Sequence, residues 1–205
     1  MRSIDVETRR RWLKRAIIPA IGILLVLAAL PWFLRGKGGD AADATAPNPP
    51  VSPTAWTIKI ETVSVDAPLV GIDATSSLTL DPPRNPQQVG WWKQSAAPGM
   101  SFGKTIVTGH TVHTGGGQFD HIGDLKKGAI VTIVSAAKTI TYRVDSVQTV
   151  SKAEVDKDAI NFFGQKNPHN VLELITCSNW NGSAYLTNTF VWATPVRVAP
   201  TAPTA

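Results

Sequence analysis

Residues 171–182 read VLELITCSNWNG: an apolar run that ends on Cys177, the only cysteine of the 205-residue chain, and gives way to a polar turn. A short run of Val, Leu, Ile and Thr bounded by turn residues reads as a strand. This one is apolar enough to be an interior strand, covered on both faces. GKTIVTGH (103–110) is a second strand of the same kind. WTIKI (56–60), AIVTIVS (129–135), KTITYRVDSVQTV (138–150) and TFVWATPVRV (189–198) are also rich in β-branched and aromatic residues. Several of these alternate apolar with polar positions, as a half-buried strand does. Only QFDHIGDL (118–125) and DAINFFGQ (158–165) read as short helices. Many short strands with few helices predict a mainly β fold, a closed or nearly closed barrel.

The rest of the chain divides around that domain. Residues 16–34, AIIPAIGILLVLAALPWFL, run nineteen positions without a charge. At about 1.5 Å of helical rise per residue they nearly span a bilayer core of roughly 30 Å. Arg9, Arg10, Arg11, Lys14 and Arg15 precede them, and only Arg35 and Lys37 follow closely. The positive-inside rule therefore puts residues 1–15 in the cytoplasm and the β domain outside. A cleaved signal peptide is the rival reading, but the apolar stretch is longer than an ordinary signal core, and AADA (41–44) lies well past its end. Residues 35–54 are rich in Gly, Ala and Pro and read as a spacer, residues 55–198 as one domain, and residues 199–205 as a flexible tail.

The net charge of +5 with a pI near 9.5 suggests nucleic acid only when the chain is taken whole. Residues 1–37 hold eight Lys or Arg against Asp5 and Glu7, leaving twelve basic and thirteen acidic residues beyond them. The basicity belongs to the membrane flank, so no nucleic-acid partner is expected. No His, Cys, Asp and Glu grouping has the spacing of metal ligands, and neither metal nor cofactor is expected.

A lone cysteine outside the cytoplasm is a buried inert side chain, half of an intermolecular link, or a nucleophile. A free thiol with a pKa near 8.5 is mostly protonated at neutral pH, and histidine is its usual activator. His169 (QKNPHN) and His121 read as surface residues, and His113 lies in the glycine-rich HTVHTGGG. His110 ends the interior strand TIVTGH, as Cys177 ends its own. Two strand ends at one rim of a barrel bring imidazole and thiol within reach.

TGH at the end of one strand and LITC at the end of a later one, in a small β domain behind a single anchor, resemble a sortase. TIKIETVSVDAPLVGIDATSSLTLDPPRNPQQVGWWKQSAAPG (57–99) resembles the opening of that family, and GGQFDHIGDLKKGAIVTI the segment after its histidine. With CSNWNG, the details are most similar to class E and F sortases. The resemblance implies a membrane-anchored cysteine transpeptidase that cleaves secreted proteins at a C-terminal Leu-Pro-x-Thr-Gly type of sorting signal. Cys177 would hold the acyl part as a thioester, and His110 would protonate the leaving amine and deprotonate the incoming one. The acceptor would be a peptidoglycan stem peptide or its lipid-linked precursor. The family's third residue, an arginine, falls by this resemblance on Asn188, an amide without a charge; Arg197 is too far along, while Arg84 or Arg143 could approach from elsewhere. Thr176, Trp180 and His113 would contact substrate.

Three other functions compete. An L,D-transpeptidase also pairs Cys with His, but Leu-Ile-Thr precedes Cys177 where a Ser-x-Gly is expected. A hydrolytic cysteine peptidase would share the dyad and prefer water. A non-catalytic binding domain is favoured by the missing arginine alone.

Overall fold

The computed structural model describes residues 56–76 and 79–201. The expected cytoplasmic, membrane and spacer segments (1–54) lie outside the described residues, as does most of the expected tail. No helix among the described residues is long and apolar enough to cross a membrane.

Eight strands form among the described residues: β1 (Trp56–Ile60), β2 (Val65–Ile72), β3 (Val89–Trp92), β4 (Lys104–Thr108), β5 (Ile130–Val134), β6 (Lys138–Ser151), β7 (Val171–Trp180) and β8 (Tyr185–Pro200). They close into a barrel in the order β1-β2-β3-β4-β7-β8-β6-β5, with β5 pairing back onto β1. The expected mainly β closed barrel is the fold. Two seams are parallel, β2 with β3 and β4 with β7. Parallel neighbours need a crossover. The first is the loop 73–88, and the second carries β5, β6 and two short helices, α1 (Lys152–Lys157) and α2 (Ala159–Phe163).

Three elements depart from the sequence expectation. The helix over 118–125 shrinks to a single 3-10 turn, Ile122–Asp124, because Gly123 interrupts it and Phe119, Ile122 and Leu125 are drawn into the core. β2 alternates Val65, Ala67 and Leu69 inward with Asp66 and Pro68 outward, and those two outward residues, rare in strands, hide its pattern. β8 continues to Pro200, two residues past the predicted domain end.

The sheet is covered on both faces near β7. Leu172 and Leu174 belong to the barrel's inner core with Val107, Ile133, Tyr142 and Val191. Ile175 belongs to an outer layer with Ile106, Val150, Val155 and Phe190, packed by Leu80, Phe162 and Phe163. Burying a side chain such as Ile175 or Phe190 fully is worth about 1.5–3 kcal/mol. This double burial is why VLELIT shows no polar alternation. Glu173 is the one charge in the run. Its Oε2 accepts from Lys104 Nζ at 3.1 Å and from Trp192 Nε1 at 2.8 Å, while Lys104 also donates to the Asn161 and Phe162 carbonyls. Burial pushes the Glu173 carboxyl up and the Lys104 charge opposes it. The pair ties α2 down onto β4, β7 and β8.

Candidate active site

Cys177 does not end its strand. β7 runs on to Trp180, still paired with β8, and at the level of Cys177 β8 is paired on its other flank with β6. Strand alternation sends Thr176 inward and Cys177 outward. Asn188 stands directly opposite Cys177, which puts both side chains on one face.

His110 lies two residues past the end of β4. The parallel pairs step one for one from Lys104 with Val171 to Thr108 with Ile175. Beyond them the Gly109 N–H donates to the Ile175 carbonyl at 3.1 Å, and the Gly109 carbonyl accepts from Thr176 Oγ1 at 2.8 Å. The paired register ends at that point, and His110 is the residue that follows. Cys177 and Asn188 are direct cross-strand partners. Gly109 has no room for a side chain: a Cβ there would meet the ring of the fully buried Phe119 at 2.6 Å.

The hydrogen bonds around these residues constrain their protons. His110 Nε2 lies 2.9 Å from the Pro83 carbonyl, which can only accept, so Nε2 carries the hydrogen and a neutral ring keeps its lone pair on Nδ1. Thr176 is buried, and its hydroxyl is committed to protein. It donates to the Gly109 carbonyl and shares a hydrogen bond of 2.7 Å with Thr111 Oγ1, which also donates to the Phe119 carbonyl at 3.2 Å. Asn188 Nδ2 donates to the Thr176 carbonyl at 3.3 Å.

Two grooves meet at Cys177. One, of about 400 Å³, runs between the sheet and its cover, lined by Leu80, Asp81, Lys152, Phe163 and Asn188. The other, of about 460 Å³, is lined by His113, Asp120, Trp180 and Tyr185. Trp180 packs on its own hairpin and beyond it: its ring centroid lies 5.0 Å from that of Tyr185 and 4.3 Å from that of His113, stacked on the latter at 10°. Asp120 accepts from the Val112 and Gly117 N–H groups at 2.7 and 3.0 Å and holds the His113 loop in place. His121 borders this groove too, its Nδ1 3.2 Å from the Asp124 carboxylate. Trp91 is in the core and Trp92 only partly buried.

Burial pushes the Cys177 thiol up, the Lys152 ammonium pulls it down, and the Asp81 carboxylate pushes it up again. The resting thiol is therefore protonated at neutral pH. Burial, then the Asp120 carboxylate, pushes the Tyr185 phenol up as well. Lys152, Asp81, Tyr185 and Asp120 border the thiol without any motif to announce them; they come from four separate segments that only the barrel gathers. No cluster of three or more His, Cys, Asp or Glu among the described residues could hold a metal.

Comparison with known proteins follows the same lines. Residues 58–196 match the family model of the sortase domain. No curated protein matches the sequence. Among solved structures, sortase E1 from Streptomyces coelicolor, with a tripeptide in its active site, is 22% identical, with a TM-score of 0.56 over 73% of this chain and 93% of that one. Sortase A from Listeria monocytogenes is 14% identical, with a TM-score of 0.58 over 74% and 92%. The lid mutant of Corynebacterium diphtheriae sortase A is 22% identical, with a TM-score of 0.56 over 71% of each chain. At these identities the structures speak for the fold, and the family model, spanning well over half of the chain, speaks for the lineage. With its barrel and its single thiol at the meeting of two grooves, the chain belongs to the sortase family of cysteine transpeptidases.

Proposed function

We propose that the chain is a membrane-anchored sortase of the class E or F type, facing outward, that cleaves secreted proteins at a Leu-Pro-x-Thr-Gly sorting signal and transfers them to a cell-wall amine. The observation that carries this reading is the single thiol, Cys177, set opposite Asn188 at the meeting of two grooves, on the strand that pairs with the one leading into His110. Cys177 Sγ attacks the Thr carbonyl carbon after its proton passes to His110 Nδ1. His110 then gives a proton to the leaving Gly amine, and the acyl group stays on sulfur. The incoming amine, from a peptidoglycan stem peptide or its lipid-linked precursor, reverses these steps. Thr176 acts as a brace between the strand ends rather than as a substrate contact, since its hydroxyl is already spent on Gly109 and Thr111. Trp180 and His113 form an aromatic wall for the substrate. The anchor and spacer raise the effective concentration of both substrates at the outer leaflet.

Product analysis tests the proposal. The full chain in detergent, given a Leu-Pro-x-Thr-Gly peptide and an excess of glycyl amine, should form the new amide as its main product. Hydrolysis alone, unaffected by added amine, would instead mark a peptidase of sortase fold.

Asn188 is expected to matter at the acylation step. One N–H of its amide is held by the Thr176 carbonyl, which leaves the other to donate to the oxyanion of the tetrahedral intermediate. Asn188→Ala should lower the acylation rate by about tenfold to a thousandfold with little change in melting temperature. Asn188→Arg, which restores a forked cationic donor, should retain or raise it. An unchanged rate in the alanine variant removes Asn188 from the mechanism.

A further inference from the structure

An uncharged amide beside a buried thiol leaves the anions of this chemistry without a positive partner. The register rules out two of the arginines. Arg143 pairs with Thr194 and Arg197 with Thr141 beyond it, so both lie six or more residues along β8 from Asn188, about 20 Å away at the strand rise. Arg84 and Lys152 are both exposed, but Arg84 lines neither groove. Among the described residues that line the two grooves, Lys152 is the only Lys or Arg.

Its position follows from the pairing beyond Asn188. Val150 pairs with Asn188 on the other flank of β8 and so stands two strands across from Cys177. Lys152 comes two residues later, where β6 turns into α1 over the groove. Two strand spacings across and two residues along separate its Cα from that of Cys177 by about 12 Å, a gap that lysine's flexible four-carbon stem narrows from one side and the cysteine side chain from the other. The other charges facing it are Asp81 of the covering loop and Asp156 one turn further along α1, with His110 beyond the thiol. None of the ion pairs among the described residues includes Lys152. A cation at the first residue of a helix also gains nothing from the helix itself.

We propose that Lys152 is a further catalytic residue, whose ammonium supplies the groove with the positive charge that Asn188 lacks. It stabilises the Cys177 thiolate before attack. As the C–S bond forms and the carbonyl π pair moves to oxygen, Lys152 Nζ donates to the oxyanion; it gives up no proton, and His110 alone serves the leaving amine. The thiol's own balance agrees, since the Lys152 charge draws it down against burial and Asp81. The oxyanion half of this inference rests on the reading of Cys177 as the nucleophile.

The test is the pH profile of Cys177 alkylation by iodoacetamide in the full chain, which needs no substrate, together with acylation by the sorting-signal peptide. Lys152→Gln should slow alkylation at pH 7 by about threefold to tenfold and move its midpoint to higher pH, and Lys152→Arg should stay within about twofold of wild type. Adding 1 M salt should bring the wild type toward the glutamine variant. Acylation by Lys152→Gln should fall about tenfold to a hundredfold, with the arginine variant rescued. Alkylation profiles that superimpose for wild type and Lys152→Gln overturn the proposal, whatever the peptide assay shows.

Discussion

Cys177→Ala should abolish both cleavage of a Leu-Pro-x-Thr-Gly peptide and formation of any covalent acyl-enzyme. The chain holds no second thiol to take over, and water without the nucleophile has only the groove's binding energy to use. The fold should survive the change. Cys177 is half-buried at the meeting of two grooves rather than in either apolar cluster, so the alanine leaves no core cavity. Peptide cleavage by chromatography and melting temperature by calorimetry read the two halves separately. An alanine variant that still cleaves would move the chemistry to another residue.

His110→Ala should be nearly as severe, with a loss of about a hundredfold to ten-thousandfold, the range of a positioned acid–base group. Two effects combine here. The burial-raised thiol loses its base, and the departing amine loses its proton donor. His113→Ala and His121→Ala should cost less than tenfold, because each ring is engaged elsewhere: His113 is stacked on Trp180 and His121 pairs with Asp124. A dead His113 or His121 variant beside an active His110→Ala enzyme would move the acid–base role away from His110.

The barrel's interior strands are legible in the sequence because they are buried on both faces. TIVT and LELIT therefore appear as continuous apolar runs. The tip of β7 is not legible for the opposite reason. Ser178, Asn179 and Trp180 lie at the solvated end of the hairpin, where polar residues look like a turn although Ser178 and Trp180 keep the ladder on either side of the unpaired Asn179, whose φ is 60°. The brevity of β3 and the exposed Asp66 and Pro68 of β2 conceal a parallel seam. α1 carries a signal in Ser151 and Glu154, the spacing of a capping box, and the Ser151 hydroxyl does accept from the Glu154 N–H at 3.2 Å. The place of Lys152 is illegible for a deeper reason. It depends on how β6 pairs with β8, and irregularities at Thr141/Tyr142 and Val144/Ser146 shift that register before it reaches Asn188. Cys177 and His110 stand out in the sequence as residues of rare type at the ends of apolar runs, although β7 continues past Cys177 and β4 stops before His110. Thr176, by contrast, reads as any strand threonine until its hydroxyl is seen bridging Gly109 and Thr111.

The central claim is that Cys177 carries the acyl half of a sorting signal between donor and amine. Intact-mass measurement on acid-quenched enzyme, mixed for seconds with a Leu-Pro-x-Thr-Gly peptide, tests it most directly. The account predicts a mass increase equal to the Leu-Pro-x-Thr acyl group, located on Cys177, which disappears on addition of hydroxylamine or glycyl amine. Cleavage of the peptide at full rate with no adduct at any quench time, and no response to either amine, would contradict it.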